Sequence, residues 1–580
     1  MHYTVTSPNA AVCAAANSTG KTLLMQPKSL LFLLLLLTQR VLAQPTAQPG
    51  SYLPALLDSA GIPGLSMAVI NSKGVVWAKG VGVREAGKSE PVDQHTVFSA
   101  ASLGKPVFAY LVLKLADEGK IDLDKPLYQY VPYRAIEYDP RYKAITARMV
   151  LSHQTGFPNW RDGQLNLLFA PGQRFSYSGE GFAYLQGVVM TIMGQEIEEL
   201  AQAYVFKPLG MSRSSYRWQP AFEANHATPH NRLGQPTPLT RFSEANVAMT
   251  LQTTAPDYGR FLGALLTGEG LKPATAQALF TPQVTPGRTL RDTTRASATV
   301  RWGLGIGLWQ PAGNSGFWHW GDNGDVRCFA YVSRTRRHGV VYFTNSRNGL
   351  SILSVLTQRT LGVSAQGLAD FLEYDSYRSP AVQASRSVDK KGPTAVRPFL
   401  AATPNGKPRL PERELLDLAE QLGTGPHPAQ AAELLELASS TYPQSSPLLQ
   451  ALGMAYLKLG DRPHARAAFT RYATRQPQDE AARHLVAQLT HAPTGNVTLR
   501  VPGYPSARLI TLAGSFNNWQ PLHTLFWQKG GEWQCTLQLP KGKYLYKIIV
   551  DGTWQTDPGN PNTETDSSGN TNSLLLVDQE

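Results

Sequence analysis

The stretch Thr96-Val97-Phe98-Ser99-Ala100-Ala101-Ser102-Leu103-Gly104-Lys105-Pro106 decides the fold of this 580-residue chain. It opens on β-branched and aromatic residues, as a strand does. An apolar helical pattern then runs from about Ser102 to Glu118 and closes at Gly119. Pro106 fits only the first turn of a helix, so the helix starts near Ser102 and points free backbone N–H groups at that hydroxyl. Positions i and i+3 share a helix face, which puts the Lys105 amine within reach of Ser102. Ser-x-x-Lys also occurs at Ser18 and Ser387, but in polar or removable settings. Only Ser102 stands at a strand-to-helix junction.

Upstream, Ser66-Met67-Ala68-Val69-Ile70, the turn Asn71-Ser72-Lys73-Gly74 and Val75-Val76-Trp77-Ala78 predict a hairpin. Downstream come helix-like segments at 180–215 and 255–268. Short aromatic and β-branched runs follow at Phe317–Trp320, Arg327–Val332 and Val340–Thr344. Strands, then helices, then strands predict an α/β domain: an antiparallel sheet flanked by helices, with a helical subdomain, over residues 44–378.

The apolar run Ser29–Leu37 follows Lys28 and ends in Val41-Leu42-Ala43, so residues 1–43 read as a signal peptide whose true start could be Met25. Export to a periplasmic or extracellular space is therefore expected, and no later run is long enough for a transmembrane anchor. Removing Lys21, Lys28 and Arg40 reduces the net charge from +12 to +9. The remaining positives are scattered. Only Arg334-Thr335-Arg336-Arg337 is dense, and it reads as a hairpin turn, which gives nucleic-acid binding weak support. Cys328 and Cys535 fall in separate regions, so neither a structural disulfide nor a metal site is expected.

Residues 379–410, rich in Pro, Ser, Ala and Lys without a sustained period, read as a solvated linker. Over 411–492 the chain repeats itself. Pro443 and Pro477, Ala431 and Ala465, and Leu435 and Phe469 are each 34 residues apart, the period of tetratricopeptide helix pairs. Two such units are too few to stand alone, so packing on a neighbouring domain or a protein partner is expected. Residues 493–580 alternate apolar and polar positions between turns, which predicts a small β-sandwich.

A hydroxyl becomes a good nucleophile when a base takes its proton, and an ammonium can do so only when burial or nearby positive charge lowers its pKa. Ser102 as nucleophile and Lys105 as base meet that requirement. Tyr177, in Phe175-Ser176-Tyr177-Ser178-Gly179, is the candidate for relaying the proton to the leaving group. With Phe98–Lys105, Ile145–Gly156, Pro208-Leu209-Gly210-Met211 and His319-Trp320-Gly321, residues 50–375 resemble the β-lactamase-related serine hydrolases: class C β-lactamases, penicillin-binding proteins, D-amino-acid peptidases and esterases. The resemblance implies an acyl-serine mechanism without cofactor on a small acyl substrate, an ester, amide or β-lactam. It implies that Tyr177 assists proton transfer, that His319 and Gly321 lie in an edge strand lining the site, and that the N–H groups of Ser102 and Asp322 form an oxyanion hole. Gly179 stands where the family's tyrosine motif usually ends in Asn. His319 replaces a Lys of dedicated β-lactamases, which favours an esterase or peptidase. His153 is read as a hydrogen-bonded loop residue.

Gly514–Trp519, Tyr544–Lys547, Asp551–Trp554, Asp557-Pro558 and Asn570–Asn572 resemble the glycogen-binding module of AMP-activated kinase. That resemblance implies α-glucan binding, with Trp519 and Trp554 as a platform and Lys547 and Asn572 reaching hydroxyls. Trp533 reads as core. The rival reading is a catalytically inactive scaffold working through its repeats and its glucan-binding-like module.

Overall fold

The computed structural model describes residues 50–402, 408–491, 494–522, 524–566 and 569–578, and the elements below all belong to the compact unit Tyr52–Glu580. The expected signal peptide lies outside the described residues. Among these, no helix is long and apolar enough to cross a membrane.

The region that holds Ser102 is built on β1 (Gly64–Asn71), β2 (Gly74–Gly82), β5 (Val300–Trp302), β6 (Gly307–Trp309), β7 (Gly316–Asp322), β8 (Arg327–Ser333) and β9 (His338–Thr344). They form one antiparallel sheet in the order β2-β1-β9-β8-β7-β6-β5. A separate short pair, β3 (Phe98–Ala101) and β4 (Leu251–Thr253), lies beside it.

Both faces of the sheet are covered, which is why its central strands read as continuous apolar runs rather than alternating ones. Ala68, Ile70, Phe317, Cys328, Ala330, Val341 and Phe343 face the helix Gly104–Asp117 and the helical subdomain, including Gly179–Met193. Leu65, Met67, Trp318, Trp320, Phe329, Tyr331, Val340 and Tyr342 face the helices Leu53–Ala60, Leu353–Leu361 and Gln366–Leu372. Strand side chains alternate, so His319 and Gly321 share the face of Phe317, toward the Ser102 helix.

Much of the stretch expected as a linker, residues 380–400, is helical. Pro380–Lys391 is a helix capped by Ser379, whose hydroxyl accepts from Val382 N, and Arg397–Leu400 adds a further turn. Its buried face, Ala381, Val382, Ala384, Ser385 and Val388, does have helical spacing. The two valines stand among alanine and serine, which carry too little apolar signal to betray it.

The repeat segment forms five helices: Glu412–Thr424, Ala429–Thr441, Ser446–Lys458, Arg462–Arg475 and Glu480–Thr490. A β-carbon at Gly453 would stand 2.6 Å from the Phe469 ring, so the periodic glycine is the seat for the periodic aromatic. Both ends of this short array are covered. At the first helix, Arg232 pairs with Glu414 and Asp417, Arg347 with Asp417, and Leu233 enters the repeat core. At the last pair, Leu457, Phe469 and Leu485 pack with Leu525 and Trp527 of the terminal module, and Arg462 lies over the Trp527 ring. That module has one sheet of β10 (Val497–Val501), β14 (Glu532–Leu537) and β13 (Trp527–Lys529). The second is built around β11 (Ile510–Gly514), β15 (Gly542–Val550) and β18 (Thr571–Val577). Leu499, Val501, Trp533 and Cys535 meet Ile510, Leu512, Tyr546 and Ile548 between the sheets.

Candidate active site

The site starts from a close approach of two backbones. A β-carbon at Gly321 would lie 2.4 Å from the Ala100 carbonyl oxygen and 2.5 Å from Cys328 Sγ, so only glycine lets β3 lie this close to β7. The Cys328 thiol donates to the same Ala100 oxygen at 3.2 Å. Ala101 then takes a left-handed conformation, φ 47°, which turns the chain out of β3. A non-glycine residue there stores roughly 1–3 kcal/mol of strain. The turn Ser102-Leu103 follows, and the helix begins at Gly104.

Lys105 Nζ donates to Ser102 Oγ at 2.9 Å and to the Ala248 carbonyl at 2.8 Å. The amine is 1% exposed, and burial pulls its pKa down to about 7. The Ala248 loop is braced by Gln186, which accepts from Val247 N at 2.9 Å and donates to Ala245 O at 2.8 Å. Asn323 braces it from β7's end, donating to Met249 O at 3.1 Å.

The Tyr177 ring lies 4.9 Å from Lys105 Nζ and 4.7 Å from the Trp320 ring. Its hydroxyl is buried and close enough to Ser102 to feel it, yet makes no well-aligned hydrogen bond. Burial pushes the phenol upward, with Ser102 partly opposing, so the group stays protonated at neutral pH.

β7 is not the edge strand that was expected, because β6 and β5 extend the sheet beyond it. Yet β6 pairs only with Gly316–Trp318, which leaves His319–Asp322 without a β6 partner. Of this segment, Trp320 and Asp322 line the cleft, whereas His319 and Gly321 sit buried behind it. Burial, helped by the Lys105 charge, lowers the His319 pKa to about 3, so its ring is neutral. Asp322 Oδ2 accepts from Tyr374 OH at 2.5 Å and meets Arg327 Nε at 3.1 Å, and Oδ1 accepts from Gly324 N at 2.8 Å. These bonds fix the backbone at the end of β7.

The cleft encloses about 720 Å³ and is lined by Ser102, Tyr177, Asn159, Leu168, Phe169, Arg174, Phe175, Leu290, Arg291, Trp320, Leu372 and Tyr374, among others. The place that a side chain at 179 would fill is taken by Trp160, whose ring would stand 2.6 Å from a β-carbon there. Asn159 lines the cleft, and its Oδ1 accepts from Gly179 N at 3.0 Å. Sequence reasoning missed Ala248, Asn159, Asn323 and Tyr374. Ala248 contributes only a carbonyl, which every residue type possesses, so no side-chain signal exists for it. Among the described residues, no cluster of His, Cys, Asp and Glu is arranged to hold a metal.

On the terminal module Trp519 and Trp554 lie together at the surface, ring centroids 6.5 Å apart and planes 34° apart, with Trp554 43% exposed. Consecutive left-handed residues, Asn518 and Trp519, shape the turn that presents the first ring. Lys547 is half-buried. Asn572 differs from its expectation: it is 1% exposed and donates to Asp566 Oδ2 and Asn570 O, both at 3.1 Å. Its position in β18 turns it inward, where it holds a turn.

Residues 504–580 match a family model described as the glycogen recognition site of AMP-activated protein kinase, and residues 427–489 a tetratricopeptide repeat model. Among curated relatives, Protein flp of Staphylococcus aureus is 24% identical over 197 residues, 31% of this chain and 39% of that protein. The mitochondrial serine beta-lactamase-like protein LACTB of Bos taurus is 32% identical over 104 residues, 18% of this chain and 19% of that one. The chain thus spans about two fifths or less of the curated relatives' lengths. Among solved structures, the octameric penicillin-binding protein homologue from Pyrococcus abyssi aligns with TM-score 0.47 at 19% identity, over 60% of this chain and 82% of that one. The D-alanine carboxypeptidase AmpC from Burkholderia cenocepacia aligns with TM-score 0.46 at 18% identity, over 54% and 97%. The beta-lactamase family model matches residues 50–361, more than half of the sequence, and the chain belongs to the β-lactamase family.

Proposed function

We propose that the chain is an exported serine hydrolase acting through an acyl-Ser102 intermediate on esters or amides, as an esterase or D-amino-acid peptidase rather than a dedicated β-lactamase. The observation that carries this reading is the buried Lys105 amine, 2.9 Å from Ser102 Oγ, with its pKa near neutrality. Neutral Lys105 takes the Ser102 proton while Oγ bonds the substrate carbonyl carbon, whose π pair moves onto oxygen. The N–H groups of Ser102 and Asp322 are assigned to that oxyanion, a kind of contact worth ~2–4 kcal/mol. Collapse breaks the bond to the leaving group, which receives its proton through Tyr177, and water then releases the acyl group by the reverse sequence. Neutral His319 offers no fixed charge for a carboxylate, which supports the preference against β-lactams. The apolar wall of Leu168, Phe169, Phe175 and Trp320 suits an apolar acyl group.

Intact-mass spectrometry after incubation with a fluorophosphonate, and separately with a penicillin, tests the reading. One adduct on the wild type and none on Ser102→Ala is expected with the fluorophosphonate. No adduct on either protein would leave the inactive scaffold as the better account. The terminal module is assigned α-glucan binding at Trp519 and Trp554, with Lys547 alongside. Amylose resin should retain the wild type, and Trp519→Ala with Trp554→Ala should elute in the void; a wild type that also elutes in the void removes the glucan assignment.

A further inference from the structure

His153 follows the short helix Ala147–Leu151, is 0% exposed, and adopts a left-handed conformation, φ 57°. A residue other than glycine holds that conformation where its surroundings over-determine it. Two bonds supply the constraint. The His153 carbonyl accepts from Ser176 N at 2.8 Å, and its ring Nδ1 accepts from Ser178 N at 3.1 Å. The two donors flank Tyr177, so one residue grips the chain on both sides of the phenol.

The same ring lies against the phenol, centroids 4.4 Å apart, and is boxed in by Trp302, Phe182 and Phe175 at 5.2, 5.3 and 5.6 Å. Because Nδ1 accepts, the ring proton belongs on Nε2. A second proton would turn Nδ1 into a donor facing the Ser178 donor. Burial, followed by the charge of Lys105 and then His319, opposes that protonation.

We propose that His153 is a positioning residue for the reaction: through its carbonyl and Nδ1 it holds residues 176 and 178, and so aims the Tyr177 hydroxyl at the leaving group on Ser102. The inference rests on the reading of Tyr177 as the group that passes a proton to the leaving group. That role has a chemical signature. An alkoxide must be protonated as it departs, whereas p-nitrophenolate leaves without a proton.

The test uses the full chain and two butyrate esters, ethyl and p-nitrophenyl. Asn at 153 keeps an acceptor near the Nδ1 position, while Gln moves its amide toward the Nε2 position, and both keep a polar side chain of nearby volume. His153→Gln should lower kcat on the ethyl ester roughly tenfold or more and on the p-nitrophenyl ester about twofold at most, with KM little changed in both. His153→Asn should recover most of the ethyl-ester rate. Tyr177→Phe should show the same dependence on leaving group, and adding His153→Gln to it should change little further, since both act through one hydroxyl. Equal losses on both esters, an Asn variant as impaired as Gln, or full additivity with Tyr177→Phe overturns the role of His153. A Tyr177→Phe enzyme that treats the two esters alike instead overturns the reading of Tyr177, and the inference falls with it. Should His153→Gln lack a cooperative thermal transition, His153→Asn against Tyr177→Phe decides: an Asn variant that selectively loses the ethyl ester overturns the clasp, and one that keeps it supports it.

Discussion

At the scale of single residues, Lys105 carries the most consequence. Folding takes this amine out of water and lowers its pKa from the ordinary lysine range to about 7. In the proposed mechanism the neutral form is the base. Acylation of Ser102 should therefore rise with pH through about 7 and level off above it, falling by roughly tenfold for each unit below. Rates measured between pH 5.5 and 8.5 with a neutral ester check this, and a flat profile would exclude Lys105 as the base. Stability follows the same titration. Between about 7 and 10.4 the unfolded chain binds a proton at this position that the folded chain does not, so stability increases as pH rises across that window. Relative to Lys105→Met, the wild type should gain on the order of a few kcal/mol from pH 7 to pH 10, read from denaturation midpoints.

At the scale of elements, the junction between β3 and β7 places the nucleophile, and it depends on the absence of one side chain. Gly321→Ala would drive a β-carbon into the Ala100 carbonyl and Cys328 Sγ. β3 would have to move, at ~1–3 kcal/mol of stability, as core overpacking usually costs. Displacing Ser102 by a fraction of an ångström should slow fluorophosphonate labelling on the order of tenfold or more. Unchanged labelling with unchanged thermal stability would mean that β3 does not need this contact. Much of this level was legible in the sequence, and the failures have identifiable causes. The strand, turn and helix around Ser102 announce themselves because an apolar strand, a proline and an apolar helix follow one another within about twenty residues. The helix Pro380–Lys391 was hidden because its buried face carries only two strongly apolar residues, Val382 and Val388, among alanine and serine. The position of β7 inside the sheet was hidden because β5 and β6 have three residues each, too few to set up an alternation. In the site, Ser102, Lys105 and Tyr177 could be found because their chemistry resides in their side chains. Ala248 and the two-sided grip of His153 could not, since the first acts through a backbone carbonyl and the second through backbone N–H groups of residues 176 and 178 that only the fold brings to the histidine.

At the scale of the whole molecule, the three regions are joined by packing rather than by tethers. The repeat helices bury Leu233 of the β-lactamase-family region at one end and Trp527 of the β-sandwich at the other. The first junction also holds charge: the Arg232 guanidinium, 15% exposed, lies between Glu414 and Asp417, and Arg232 N donates to Gln421 Oε1. Glu414 is itself only 9% exposed, so removing the arginine leaves its carboxylate to the exposed Arg413, 3.2 Å away, which lowers the cost below that of a fully orphaned charge. Breaking such a pair costs about 3–5 kcal/mol when burial is complete, and somewhat less where water reaches one side. That energy acts on the docking of Glu412–Thr424, because Arg232 lies outside the sheet and the Ser102 helix. Arg232→Ala should therefore speed amide hydrogen exchange throughout Glu412–Thr424 and increase proteolytic cutting within residues 400–410, while Ser102 labelling by a fluorophosphonate stays near the wild-type rate. Loss of labelling together with faster exchange would mean that the repeats brace the catalytic domain and do not merely dock on it. Unchanged exchange would mean that Leu233 and its apolar neighbours hold the junction without the ion pair.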